Sequence, residues 1–169
     1  MRLFVAVRPP DDVLDAVAAL ARPDRPGVRW TTRDQWHVTL RFLGEVDDPD
    51  PVAAALAAAP LPAATAAVGP RVATLGSGVV SLPVAGLDAL AAAVGDATAA
   101  WGRPPEHRPF RGHLTLARTG RDRRTRPRTL AGEDLTARFT VPDVRLIRSH
   151  LGPAGARYED LLVHPLPKA

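Results

Sequence analysis

The sequence predicts an α+β fold built from two similar lobes. Three observations carry this: strand-like runs alternate with short amphipathic helices, the order of elements in the first half returns in the second, and each half holds one His-x-Thr segment at the start of a strand-like run. With 169 residues, 46% of them apolar, the chain can bury a real core as a single domain spanning 1–169, made of two intimately packed lobes rather than two independent domains.

LFVAVRPP at the start reads as a buried strand, after which Asp11 or Asp12 is expected to cap a helix with Val13, Leu14, Val17 and Leu20 on one stripe. A polar loop from Pro23 to Asp34 leads into WHVTLRFL, a strand by its alternation, ended by Gly44. Asp50 and Pro51 suit the cap and first turn of an alanine-rich helix running to Ala59. Ala63 to Leu75 and Val79 to Val84 read as strands joined at Gly76-Ser77-Gly78, and a helix from Leu87 to about Trp101 follows. The loop GRPPEHRPFRG then precedes the strand HLTLAR. Six arginines from Arg118 to Arg128 show no apolar rhythm and are expected to form a solvated loop. Three strand-like runs close the chain, ARFTV, VRLIRSHL and YEDLLVHPL, split at Pro142 and at the turn from Gly152 to Gly155.

The duplication is explicit in the numbering. LDAVAAL begins at Leu14 and LDALAAAV at Leu87, 73 positions on; His37-Val38-Thr39-Leu40 and His113-Leu114-Thr115-Leu116 are offset by 76. Each lobe therefore presents one histidine.

Side chains two apart in a strand share a face, roughly 6.5 to 7 Å along the chain. His37 and Thr39 thus point one way, as do His113 and Thr115, while Val38, Leu40, Leu114 and Leu116 point to the core. Two imidazoles and two hydroxyls converging across a cleft suit phosphoryl transfer, which needs one group to remove a proton as another supplies one. Histidine does either near neutrality, since its unperturbed pKa is about 6.5. Threonine hydroxyls would donate to phosphate oxygens as charge builds on them. No metal or cofactor is required: a cyclic phosphate is already strained. A single strand histidine is more often structural than catalytic, and threonine is a common strand former, so it is the repeat that turns these four residues toward function.

Composition narrows the rest. Cysteine is absent, which excludes disulfides, thiolate metal sites and a cysteine nucleophile. His107, His150 and His164 have no metal-ligand spacing, and no metal site is expected. No apolar stretch approaches the roughly 20 residues of a membrane span, and the first residues lack a signal-peptide layout, so no membrane partner and a cytoplasmic location are expected. The formal net charge is +4 with Lys168 the only lysine. Arginine suits phosphate, although an Ala-, Arg- and Pro-rich composition also follows from GC-rich coding.

HVTLRFLGEV and HLTLAR, together with the opening RLFVAVRPP and the closing SHLGPAGARYEDL, resemble the 2H phosphoesterase superfamily, specifically the RNA 2′,3′-cyclic phosphodiesterases historically called 2′-5′ RNA ligases. The resemblance touches nearly the whole chain. It implies antiparallel sheets around a central cleft with a pseudo-twofold axis and helices outside, and metal-independent hydrolysis of a terminal 2′,3′-cyclic phosphate on RNA to a 2′-phosphate. Minor 2′-5′ ligation is implied as well. By analogy one of His37 and His113 activates water and the other protonates the leaving 3′ oxygen, while Thr39 and Thr115 hold the phosphate; which histidine does which stays open. The family pattern also places Phe42 on the terminal base and Arg118 on phosphate, with Arg121, Arg123 and Arg124 as alternative contacts. An offset of five from each histidine has the wrong strand parity, so the strands must end or bulge first, or the carry-over fails. Tyr158 is expected to approach the groove or to anchor a strand, and Phe110 and Arg111 to line its mouth. The partner implied is an RNA end, or related nucleotides, bound by a monomer. Two other functions fit the sequence: phosphodiesterase action on a small cyclic nucleotide such as ADP-ribose 1″,2″-cyclic phosphate, and RNA binding without catalysis.

Overall fold

The two His-x-Thr segments fold into neighbouring strands at the centre of one antiparallel array. The computed structural model describes residues 1–120, 132–153 and 155–168. Its elements are β1 (Arg2–Val7), α1 (Asp11–Ala18), β2 (Val28–Trp30), β3 (Val38–Glu45), α2 (Asp50–Ala58), β4 (Thr65–Val68), β5 (Ala73–Leu75), β6 (Val79–Ala85), α3 (Asp88–Ala97), β7 (His113–Thr119), β8 (Ala137–Thr140), β9 (Asp143–Gly152) and β10 (Gly155–Pro165). The strands lie in the order β10-β9-β1-β3-β7-β6-β4-β8, with β2 also on β7 and β5 on β6.

β3 and β7 touch through one ladder pair, Val38 opposite Leu114. On each side stands a strand-helix-strand unit of the same design, β1-α1-β3 and β6-α3-β7, whose two strands pair antiparallel. One face of these strands (Leu3, Val5, Val38, Leu40, Leu82, Leu114) packs with Val13 and Val17 of α1, Val52 and Leu56 of α2 and Leu90 and Val94 of α3 in the main core. The helices therefore cover that face. On the other lies a smaller cluster of Phe4, Ala6 and Ile147, joined by Phe42 and Tyr158.

Two bulges resolve the parity conflict. In β3 the partners step from Val5↔Arg41 to Ala6↔Thr39, and in β7 from Val80↔Ala117 to Ser81↔Thr115, so Leu40 and Leu116 are the extra residues. Leu40 and Arg41 are both buried, as are Leu116 and Ala117. The alternation slips by one in each strand, and Phe42 and Arg118 return to the histidine face.

Each bulge is clamped. Thr31 Oγ1 lies 2.8 Å from the carbonyls of both Thr115 and Leu116, and the buried Trp36 indole N–H donates to Thr31 Oγ1 at 2.9 Å. In β3 the buried Arg41 guanidinium donates to the Gly95 carbonyl (2.9 Å), Thr98 Oγ1 (2.6 Å) and the carbonyls of Trp101 (3.1 Å) and Arg103 (2.9 Å). These groups lie in and just past the last turn of α3, where carbonyls lack helical partners and a cation is favoured.

Several expectations need correction. α1 takes Pro10 as its N-cap, with no side-chain cap bond. The Pro10 carbonyl already accepts from Leu14, so Asp11 and Asp12 fall in the first turn, where Arg33 binds Asp11 at 3.0 Å. α2 likewise starts after Pro49, and the Asp50 N–H donates to Asp48. The polar loop holds β2 and a 3₁₀ turn, Arg33–Gln35. Gly44 is a kink within β3 (φ +74°), not its end. Ala63 to Leu75 is two strands, broken at Gly69 (φ +103°) before Pro70, where any Cβ would strike the Leu135 carbonyl at 1.8 Å. α3 ends at Ala97, four residues short of Trp101, and Arg41 binds the carbonyls of Trp101 and Arg103 that follow. Arg118 lies in β7 rather than in the expected arginine loop, and that loop from Arg121 onward lies outside the described residues. Among those described, no helix is long and apolar enough to cross a membrane.

Arg41→Met keeps bulk but removes every donor to the turn after α3. We expect a loss of about 3 kcal/mol, since buried acceptors are left unpaired. Urea denaturation checks this, and a change within error would mean the clamp contributes nothing.

Candidate active site

The register Val38↔Leu114 sets the geometry. It brings Thr39 level with His113 and His37 level with Thr115, so the two histidines are diagonal neighbours on one face. Such positions are roughly 7–8 Å apart, wide enough for a tetrahedral anion between the rings.

Both rings are held alike. His37 Nδ1 donates to the Gln35 carbonyl at 2.7 Å and His113 Nδ1 to the Arg111 carbonyl at 2.8 Å, each two residues upstream. A carbonyl only accepts, so Nδ1 carries hydrogen in both, and in the neutral ring Nε2 is the nitrogen that accepts. His37 Nε2 receives a hydrogen bond from Thr39 Oγ1 at 3.1 Å. Gln35 is itself tethered, its side-chain amide donating to the Ala156 carbonyl of β10 at 2.7 Å. On the other side Gly112 lets β7 approach β6: a Cβ there would lie 2.3 Å from the Val84 carbonyl.

The surroundings of His37 are aromatic and cationic. Its ring centroid lies 4.8 Å from that of Phe4 and 5.1 Å from that of Tyr158, which meets it edge-on. Enclosure lowers its pKa from 6.5 to about 4; the Gln35 carbonyl opposes this, while Arg8, His113 and Arg118 reinforce it. His37 is therefore neutral at pH 7. Burial raises the pKa of Tyr158 against the pull of Arg118, Arg2 and Arg29, so its phenol stays protonated.

The groove thus gathers His37, Thr39, His113, Thr115, Tyr158 and Arg118. Phe42 stands in the Phe4–Tyr158 cluster, with the guanidinium carbons of Arg2 and Arg103 4.7 and 5.5 Å from its ring centroid. Phe110 and Arg111 line a pocket of about 360 Å³ beside His113. Arg121, Arg123 and Arg124 lie outside the described residues. His150 pairs with Glu159 at 2.8 Å. No group of three or more His, Cys, Asp or Glu side chains among the described residues is placed to hold a metal ion.

Sequence reasoning missed Phe4, Arg8, Gln35 and Arg29. Arg8 stands one strand step beyond Ala6, facing His37, and pairs with Asp160 at 3.3 Å. Alternation along β1 could have found it, because Phe4, Ala6 and Arg8 share a parity. Arg29 is the cross-strand partner of Arg118, a pairing that depends on the unexpected β2.

The family model for the 2′-5′ RNA ligase superfamily matches residues 9–153. Among solved structures, TT0787 of Thermus thermophilus is 27% identical over 99% of both chains, with a TM-score of 0.75. A structure described as a phosphoesterase is 26% identical over 99% of this chain and 98% of its own, with a TM-score of 0.76. Escherichia coli LigT in complex with 3′-AMP is 26% identical over the same shares, with a TM-score of 0.75. No curated protein sequence matches the chain.

NMR titration of the imidazole nitrogens should show His37 in the Nδ1–H form, with a midpoint near pH 4. Tyr158→Ala should open the ring to water and raise that midpoint toward 6.5. A wild-type midpoint at the ordinary histidine value would contradict the enclosure described here.

Proposed function

The chain belongs to the 2′-5′ RNA ligase superfamily, and from that premise we propose that it hydrolyses a terminal 2′,3′-cyclic phosphate on RNA to a 2′-phosphate without a metal ion. One observation carries the proposal: two imidazoles stand on one face of adjoining strands, each with Nδ1–H on a carbonyl, which leaves Nε2 of each ring for proton transfer, that of His37 accepting from Thr39 Oγ1. That E. coli LigT has been solved with 3′-AMP supports a nucleotide phosphate as the class of ligand.

In this mechanism the phosphate lies between the rings, and Thr39 and Thr115 donate to its non-bridging oxygens. One Nε2 takes a proton from water as the water oxygen bonds to phosphorus. The P–O3′ bond breaks, and the other Nε2 delivers its proton to O3′. Hydroxyls fixed in advance favour the charge that builds on phosphate without reorganising. Arg118, Arg29 and Arg8 supply the positive field that draws the anion in and, once it is bound, its charge offsets the effect of Arg8 and Arg118 on His37. A charge on His113 lowers the pKa of His37, so two charged rings at once are disfavoured, and the reaction needs one charged and one neutral ring. A 5′-hydroxyl in place of water would form a 2′-5′ linkage as a minor reaction.

With RNA bearing a cyclic end and excess EDTA, the product should be a 2′-phosphate, and His37→Ala or His113→Ala should each lower kcat by about 10²- to 10⁴-fold. A 3′-phosphate product, a metal requirement, or salt-sensitive RNA binding with no turnover would overturn the proposal. Faster turnover of ADP-ribose 1″,2″-cyclic phosphate than of an oligonucleotide would redirect it to a small substrate.

The profile of kcat/KM against pH reports the free enzyme and should be bell-shaped. Its acidic limb should lie near pH 4, where His37 gains a proton, and a limb near pH 6.5 would contradict this. A substrate whose leaving 3′ oxygen is replaced by sulfur needs no acid, so the alanine variant that it rescues identifies the proton donor.

A further inference from the structure

β1 carries alternate residues to the groove: Phe4, Ala6 and, one step past its end, Arg8. The pairs Ala6↔Thr39 and Val7↔Val38, continued by one residue, bring Arg8 level with His37. In the other lobe Ser81 pairs with Thr115, Leu82 with Leu114 and Pro83 with His113, so the position related to Arg8 is Pro83. The two halves of the groove match in histidine and threonine and differ here. One ring has a guanidinium beside it, the other a side chain with no donor.

The Arg8 side chain is only 29% exposed, yet none of its five N–H donors makes a hydrogen bond to a described residue. Its Nε is buried without a partner, and Nη2 stands 3.3 Å from Asp160 Oδ1 as an ion pair. Asp160 is itself divided, since its other oxygen accepts from Arg145 Nη1 at 2.7 Å, and Arg145 in turn donates to Asp143. A bulge in β10 at Leu161 leaves Asp160 opposite Ile147, on the groove face. Asp160 thus fixes where the guanidinium stands without filling its donors. Secluded donors left open cost free energy that an arriving acceptor would recover.

We propose that Arg8 is a further catalytic residue, whose guanidinium binds one of the two non-bridging oxygens of the reacting phosphate, and that Asp160 positions it for this contact. The inference rests on the phosphodiesterase function proposed above. Negative charge builds on those oxygens as water bonds to phosphorus, and the 2′-phosphate product can hold one charge more than the cyclic diester. A cation already in place favours these later states over the substrate, so it acts on kcat and not on KM alone. Because Pro83 stands at the related place, the contact falls on one oxygen and not on its twin.

The test compares Arg8→Met, which keeps bulk without donors, with Arg8→Lys, which keeps the charge without the fork. On RNA with a cyclic end, Arg8→Met should lower kcat by about 10²-fold, and Arg8→Lys should recover part of the loss. A raised KM with unchanged kcat in both variants overturns the contact and leaves Arg8 a steering charge. Cyclic phosphorothioate ends add a readout that a structural role does not move, because each diastereomer carries sulfur in place of one non-bridging oxygen. The wild type should turn over one diastereomer faster, and Arg8→Met should shrink that ratio by about tenfold. An unchanged ratio overturns the contact. Asp160→Asn should lower kcat in the wild type and add nothing in Arg8→Met, whereas an additive loss would overturn its positioning role. A further arm needs no turnover: with isotopically labelled arginine, inorganic phosphate should shift the Arg8 Nε–H resonance, and Arg8→Met should weaken its binding about tenfold. That result in a protein that hydrolyses no cyclic phosphate would keep the contact and discard the phosphodiesterase function. Hydrolysis with no shift at Arg8 and an undiminished kcat in Arg8→Met would discard the contact alone.

Discussion

The pairing of Val38 with Leu114 is the constraint on which the rest of the groove depends. It is the one ladder pair between β3 and β7, and it fixes which residues of the two strands are level. A slip by one residue would turn every side chain of one strand to the opposite face, burying a histidine and exposing leucines. Val38 and Leu114 are both fully buried, so the slip is opposed by the main core as well as by hydrogen bonding. The placement of the two histidines and the packing of the core are therefore specified by the same register.

What the sequence makes legible follows from this coupling. Alternation around each His-x-Thr, repeated at matching spacing, is enough to place four side chains on one face and their neighbours in the core. The bulges are not legible, because an inserted residue leaves no compositional mark: Leu40-Arg41 and Leu116-Ala117 look like continuing strand. By strict alternation Arg41 belongs with His37 and Thr39, yet its guanidinium turns inward to the end of α3, a partner more than fifty residues away. The parity conflict at Phe42 and Arg118 is the trace of these bulges visible in advance. The helix starts differ from expectation for a local reason, since a proline before the aspartates takes the N-cap position in both α1 and α2.

Elsewhere the limits of sequence are those of long-range contact. Arg8, Arg29 and Gln35 acquire their positions from strand order, β2 pairing and a tether to β10, none of which has local periodicity. Arg29 acts on Tyr158, while Arg8 and Gln35 set the environment of His37. Aromatic rings exclude water from it, nearby guanidinium groups disfavour a second positive charge, and a carbonyl fixes its tautomer. Under the proposed function, an arriving anion replaces water among donors and cations already in place, at little reorganisation. The two flanks differ in kind: aromatic and arginine-covered around Phe42, concave and mixed around Phe110.

A crystal structure with a nucleoside 2′-monophosphate bound tests the central claim most directly. The account predicts one phosphate between the rings, within hydrogen-bond reach of Nε2 of both His37 and His113 and of the hydroxyls of Thr39 and Thr115. A phosphate bound to one imidazole alone, or seated away from both, would contradict it.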